Sequence, residues 1–543
     1  MLMLEKLYAC CRQSEIDIHH DVVGDYAKRG IILTLLLILI CSFTFSQGRN
    51  NFWGLGYASF SGDTSFGGLA MTFPNNVRNI YDNPRDMWFE FSNSSICDTG
   101  GNLLFYTNGV YIANAIEDTM LNGSGLNPSF YTSAWTKYGL SIPQCNIILP
   151  KPGSDSLYLL FHETITLSAP NCYCPDEFYY SEINMQGDSG RGEVIKKNVV
   201  IFEDSLVGGA ITACKHANGR DWWVVAPEKS SEMGAYIMLA TPDTVQVYNY
   251  QKMHAIGLSS AQANFSPDGS KYVITNTRGI SFYDFDRCNG VFTFLDSVDF
   301  GDSTFNWGAS VSPNSRYCYL SHTWKMYQYD LQATDISASQ ILVAEWDSMG
   351  DPNPFWTTIF WLHQLGPDVK IYVSTGCTMG MHTINMPDVA DTLCNVEQRA
   401  IHFQHFNCAI PNFPNYDLGR LTGSPCDTLQ WVGTPETPNP LQGGFRSLRI
   451  NPNPANNSFY IKYDILTNEN LLFVLYDSYG KEVLRKNLYG TFKNLLVHSN
   501  KLANGIYFWR AVQDYNTKTQ PSIGKPLVGV GVYSASGKIV ILH

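Results

Sequence analysis

A short unit recurs along the middle of the chain: a polar turn of Gly, Asn, Asp or Pro, followed at once by a short apolar or aromatic strand. It occurs as Asp98-Thr-Gly-Gly-Asn-Leu-Leu-Phe-Tyr106, Gly153-Ser-Asp-Ser-Leu-Tyr-Leu-Leu-Phe161 and Asn218-Gly-Arg-Asp-Trp-Trp-Val-Val225. It returns as Ser266-Pro-Asp-Gly-Ser-Lys-Tyr-Val-Ile274, Ser312-Pro-Asn-Ser-Arg-Tyr-Cys-Tyr319 and Gly366-Pro-Asp-Val-Lys-Ile-Tyr-Val373. Pro presets φ, and Gly or Asn tolerates φ > 0, so these steps form turns. With Leu103, Leu157, Trp222, Tyr272, Tyr317 and Tyr372 as markers, the spacings are 54, 65, 50, 45 and 55 residues. A second strand pair follows several units, as in Phe282–Asp286 with Val291–Leu295, or Tyr327–Asp330 with Gln340–Val343.

About four antiparallel strands per period of about 50 residues is the pattern of propeller blades. One blade cannot bury both faces; radial stacking buries them between neighbours and leaves only short edges. Six units are visible and the stretch after Tyr372 has room for another, so seven blades are expected. Cys426–Val432 is expected to pair with Asn51–Leu55 and close the ring. Stacked β-sandwiches fit so regular a period less well. The fold class is therefore all-β: a β-propeller over 50–433, then a small C-terminal β-sandwich.

Composition agrees with a folded body. Of 543 residues 13% are aromatic, which argues against disorder. The net charge of −12 gives no reason to expect a nucleic-acid partner.

Residues 1–46 read as a signal region. Lys28-Arg29 precede an apolar core at 31–40, and small residues lead to a cleavage site between Ser46 and Gln47. Gly30 to Phe45 is 16 residues, short of the roughly 20 that span a bilayer. Acidic Glu5, Glu15, Asp17, Asp21 and Asp25 do not suit a signal, so translation is expected to start near Val22 or Val23. Eleven cysteines follow the signal, and an odd number leaves at least one unpaired in an oxidising compartment.

Thr434–Gly444 has the composition of a linker, assigned to 434–445. Beyond it, alternating runs at 459–463, 472–476 and 506–512 predict a β-sandwich over 446–543. Residues 446–543 hold twelve Lys/Arg and five Asp/Glu; residues 47–445 hold 20 and 38. That change of sign marks two modules.

The stretches Gly101–Gly109, Leu365–Tyr372 and Ile410-Pro-Asn-Phe-Pro-Asn-Tyr-Asp-Leu-Gly419 resemble a WD-like propeller group of exported and surface proteins of Bacteroidota. The resemblance spans most of 52–433 and implies fold and location, with no catalytic residues attached. The C-terminal module resembles the type A sorting domain of the type IX secretion system. The matching positions are Asn451-Pro452-Asn453-Pro454, Gly480 and Lys481 in Tyr476–Val483, Gly505 and Tyr507 in Leu502–Tyr507, and Gly537 and Lys538 in the terminal strand. A longer segment than usual separates Val512 from Gly537. The resemblance implies the secretion machinery as partner, and a route through the periplasm and across the outer membrane, with the membrane met only in transit.

No nucleophile elbow, phosphate loop or dinucleotide fingerprint occurs. His162-Glu163 lacks a second His at metalloprotease spacing, and His402-Phe-Gln-His405 is the only close histidine pair after the signal region. Asp284–Gly290 reads as a hairpin turn, because it lacks the Glu that closes a calcium loop. No cofactor or metal is expected. The sequence therefore points to a binding or adhesion module for an extracellular glycan or protein, using a loop-lined face rich in Tyr and Trp. Two alternatives are a propeller hydrolase or lyase acting on polysaccharide or peptide, and a structural part of a surface or motility assembly.

Overall fold

The computed structural model describes residues 48–59, 62–169, 172–229, 233–254, 260–301, 306–350, 357–427, 445–451, 455–465, 470–477, 481–489, 494–513 and 534–541. The signal region with Ser46 and Gln47, the linker to residue 444, Pro452–Pro454, Gly480 and most of the 512–537 segment lie outside the described residues. The chain forms two compact units, Met1–Asp427 and Thr428–His543.

In the first unit, antiparallel sheets follow one another along the chain as blades I to VII: 52–82, 94–124, 146–203, 212–252, 260–299, 309–345 and 363–407. Blade I has three strands; the others have four, and blade III carries an extra hairpin at 166–174. Blades II and III also touch through one parallel pair, Leu121 with Glu193. The recurrent turns join the first strand of a blade to the second. Asx side chains brace them: Asp98 Oδ1 accepts from the Gly100 and Asn102 N–H groups, and Asn314 Oδ1 from Arg316 N–H.

The aromatic content is spent between blades. Trp223, Tyr272 and Tyr283 fill the gap between blades IV and V; Phe282 and Tyr329 fill the next, and Tyr319 with Val373 the one after. Wide rings suit gaps that widen away from the axis, and each buried ring adds large apolar area. Blade I packs on blade VII: the Trp53 and Tyr372 rings lie 5.3 Å apart, and Gly56 N–H donates to Asn407 Oδ1 at 2.8 Å. The ring is closed with seven blades among the described residues.

Phe52–Gly56 pairs with Gly68–Thr72, and Cys426 is disulfide-bonded to Cys288. Residues 428–432 of the expected pairing with 51–55 lie outside the described residues.

The second unit has two sheets. One orders Phe445–Asn451, Ser458–Ile465 and Asn494–His498; the other orders Glu482–Tyr489, Asn470–Tyr476, Gly505–Gln513 and Ser534–Ile541. Their core is apolar, with Phe459, Ile461, Phe473, Leu475, Trp509 and Ile539 buried. The last strand completes its sheet by pairing with Gly505–Gln513.

Candidate functional site

The centre of the ring is filled by the chain itself. Blade VII ends with Val396–Asn407, after which Cys408 is disulfide-bonded to Cys377, in the turn between the second and third strands of that blade. The chain then crosses to the opposite end of the blades, where Leu421 N–H donates to Ala217 O and Cys426 bonds Cys288. Gly219 lies beside this exit at φ +75°, and a Cβ there would stand 2.6 Å from the Arg420 nitrogen. Only glycine meets both demands.

Halfway along, Asn412 engages three blades. Its N–H donates to Asn93 O at 3.0 Å, its Nδ2 donates to Asn146 O and Ile211 O at 2.9 Å each, and its Oδ1 accepts from Gln144 Nε2 at 3.1 Å. Tyr416 OH donates to Ile148 O at 2.8 Å. Two further carboxamides bridge across the axis. Gln144 donates to Ala263 O and accepts from Ala263 N–H (3.0 and 2.8 Å); Gln262 does the same with His363 (2.6 and 3.0 Å). Each bridge copies one rung of a strand ladder, which satisfies main-chain groups that the innermost strand edges would otherwise bury unpaired.

Buried titratable groups sit in the same inner region. His162 contacts Asn127 Oδ1 at 2.7 Å and Ser181 Oγ at 2.9 Å, and burial pushes it down to about 3. His363 contacts Ser321 Oγ at 2.6 Å and is likewise held at about 3, first by burial and then by His382. Glu163 accepts from Gly209 N–H at 2.6 Å, and burial raises its carboxyl well above the ordinary range. All three are held neutral inside the wall of the ring, where desolvation disfavours charge.

The open space lies where the filling segment leaves the ring. A cavity of about 470 Å³ is walled by first-strand turns of blades V, VI and VII, by Phe413–Asn415 and Asp417 of the filling segment, and by Asn50 and Asn76. Its walls carry prolines, two phenyl rings and carboxamides, and neither Tyr nor Trp. The expected Tyr- and Trp-rich face is thus not the lining of this mouth, because the large rings are used between blades. A second cavity of about 440 Å³ lies against the short helix α1 (Phe130–Trp135) and blade II.

The residues singled out from sequence fall elsewhere. Asn451 ends the first strand of the tail unit. Lys481 is exposed, and its N–H donates to Asp477 Oδ1 at 2.9 Å across the mid-domain turn. Gly505 begins a strand in which Tyr507 is buried, its OH donating to Ala503 O at 2.9 Å. Gly537 and Lys538 stand opposite Trp509 and Phe508. These residues share the tail unit and take no part in the ring cavity. His405 Nδ1 lies 3.0 Å from Thr64 O, and His402 is exposed on its strand. Among the described residues no three His, Cys, Asp or Glu side chains are grouped to hold a metal. Asp286 accepts from Cys288 and Asn289 N–H groups, which makes 284–290 a hairpin turn.

Comparison with known proteins identifies the tail. Residues 449–525 match the family described as a secretion system C-terminal sorting domain. The chain carries this type IX domain, which marks proteins exported to the cell surface or extracellular space. No curated protein matches the chain. Among solved structures, it is similar to a protein from Lactobacillus plantarum at 11% identity and TM-score 0.39, over 66% of this chain and 98% of that one. The periplasmic gluconolactonase PpgL of Pseudomonas aeruginosa is similar at 9% identity and TM-score 0.37, over 66% and 98%. The β-propeller domain of Cps50 (Swd1) from Myceliophteria thermophila is similar at 9% and 0.33, over 59% and 92%.

Proposed function

We propose that this chain is an exported binding module: a ring delivered by its sorting domain and recognising an extracellular glycan or protein at the mouth of its filled channel. The observation that carries this reading is the filled throat. Propeller active sites draw groups from several blades around the channel, and here that space is taken by residues 408–421 and by the Gln144 and Gln262 bridges. The mouth that remains has one carboxylate in its walls, Asp417, where acid–base cleavage of a polymer calls for two groups. Rigid turns and paired amides preorganise that mouth, which lowers the cost of binding.

The finer sequence readings belong to the same proposal. The signal is cut between Ser46 and Gln47; the propeller spans 50–433, the linker 434–445 and the sorting module 446–543. The sorting signal lies in Asn451–Pro454, Gly480, Lys481, Gly505, Tyr507, Gly537 and Lys538, and the ring belongs with the WD-like group of Bacteroidota.

Two experiments test this. Deleting 451–543 is expected to trap the protein in the periplasm, and normal surface delivery without them rejects the export role. Mature protein screened against polysaccharides and peptides is expected to bind saturably without turnover. Turnover of any of them would replace the module with an enzyme.

A further inference from the structure

Three consecutive blades bring the same turn to the rim of the mouth: Ser266-Pro267-Asp268-Gly269, Ser312-Pro313-Asn314-Ser315 and Gly366-Pro367-Asp368-Val369. All three prolines line the cavity, with Pro414 of the filling segment as a fourth. The last residue of each turn is left-handed, at φ +73° for Gly269, +60° for Ser315 and +59° for Val369. Glycine takes that conformation freely, whereas a β-branched residue is a genuine outlier there. Val369 is also 60% exposed, so no core contact compensates for its backbone. A strained, solvent-facing valine at a cavity rim is better explained by what it touches from outside.

The polar part of the wall is neutral. It consists of the carboxamides of Asn50, Asn76, Asn264, Gln364 and Asn415 with the Ser310 hydroxyl, and Asp417 is its one charged residue. Among the described residues the side-chain amides of Asn50 and Asn76 make no hydrogen bond, and Asn76 is held out by two successive left-handed residues, Asn75 at +52° and Asn76 at +59°. A carboxamide both donates and accepts. Its complement is a group that does the same, such as a hydroxyl. With no cation in the wall, and 20 Lys/Arg against 38 Asp/Glu over 47–445, phosphate, sulfate and uronate ligands are repelled.

We propose that this mouth is a saccharide site, taking one or two uncharged sugar rings. Their C–H faces lie on the Pro and Phe surfaces, and their hydroxyls meet the Asn50 and Asn76 side chains, the amides of Asn264, Gln364 and Asn415 being bonded to main-chain groups. This rests on the binding-module reading and deepens it. A volume of about 470 Å³ falls in the range of small-ligand sites, about 300–1,000 Å³. An extended peptide fits less well, because that mode needs a free strand edge, and the rim here is made of turns.

The test uses the mature full-length protein and calorimetric titration with neutral oligosaccharides (gluco-, manno- and xylo-), oligogalacturonate and a proline-rich peptide. The expected result is binding of at least one neutral oligosaccharide and no binding of the other two probes. Asn76→Gly, which suits the left-handed backbone, should weaken it at least tenfold, with an unchanged thermal melt. Val369→Gly should weaken it several-fold while raising the melting temperature, a combination that a purely structural valine would not give. Asn50→Ala serves as a second wall variant, and Ser133→Tyr, which fills the other cavity, should leave binding unchanged. The saccharide site is overturned if uronate or peptide binds in place of neutral sugar, if neutral sugar binds equally to the Asn76 and Val369 variants, or if no probe binds. In those cases the module reading survives only with another ligand or another face. Release of shortened oligosaccharide overturns both.

Discussion

The tail unit and the ring are both built of antiparallel strands, yet their interiors differ in kind. Between the two tail sheets the core is apolar, with Phe473 and Trp509 stacked 5.7 Å apart at its middle. The ring has apolar layers of that sort between blades, but its axis is polar, held by Gln144, Gln262 and Asn412. Geometry forces the difference. A sandwich turns strand faces inward, whereas a propeller turns strand edges inward, and an edge is a row of main-chain donors and acceptors. The ring must find partners for those edges, and it uses side-chain amides and its own C-terminal segment.

Acid should separate the two units most. The folded values near 3 for His162 and His363 lie below the unfolded value near 6.5, so the unfolded chain takes up the protons first. The histidine contribution to ring stability is therefore intact above pH 6.5 and is lost as pH falls toward 3, by about 3 kcal/mol per histidine at pH 4. The tail transition, followed in the same denaturant titration, should not share that loss. Glu163 works in the opposite sense: its raised pKa means that the unfolded chain ionises first as pH climbs above about 4.5. Glu163→Gln should thus raise ring stability at neutral pH and leave the acid limb in place.

Packing variants sharpen the contrast at smaller amplitude. Phe473→Ala should cost about 4 kcal/mol in the tail transition alone, and an equal shift of the ring transition would join the two cores. Asn412→Ala leaves the Ile211 carbonyl without its donor, while Asn146 O keeps Ser94 Oγ, and should cost the ring about 2 kcal/mol by equilibrium unfolding. Smallest, and opposite in sign, Val369→Gly should stabilise the ring by about 1 kcal/mol, since it relieves a left-handed β-branched residue.

The same contrast explains what could be read in the chain beforehand. Blade turns and tail motifs are local: Asp98, Asn314 and Lys481 act on residues two to four positions away, so spacing and residue type reveal them. The β-sandwich tail and the ring of recurrent units were legible for that reason. The axis was not. Gln144 meets Ala263 and Asn412 across 119 and 268 positions, and a lone glutamine carries no local sign of such a partner. The disulfide between Cys288 and Cys426 spans 138 positions and is equally without a local sign. Ile410–Gly419 stood out only as a stretch that carries the family resemblance, and it lies within the segment that fills the ring.

Native-state hydrogen exchange of the mature protein tests that filling directly. Asn412 N–H is bonded to Asn93 O and Phe413 N–H to Gln364 Oε1, both within the axis. Their exchange should be as slow as that of the inner strands Asn146–Pro150 and His363–Leu365, opening only with the whole ring. If these two amides instead exchange at the rate of a solvent-exposed turn while the inner strands stay protected, the throat is open and the account of the mouth falls with it.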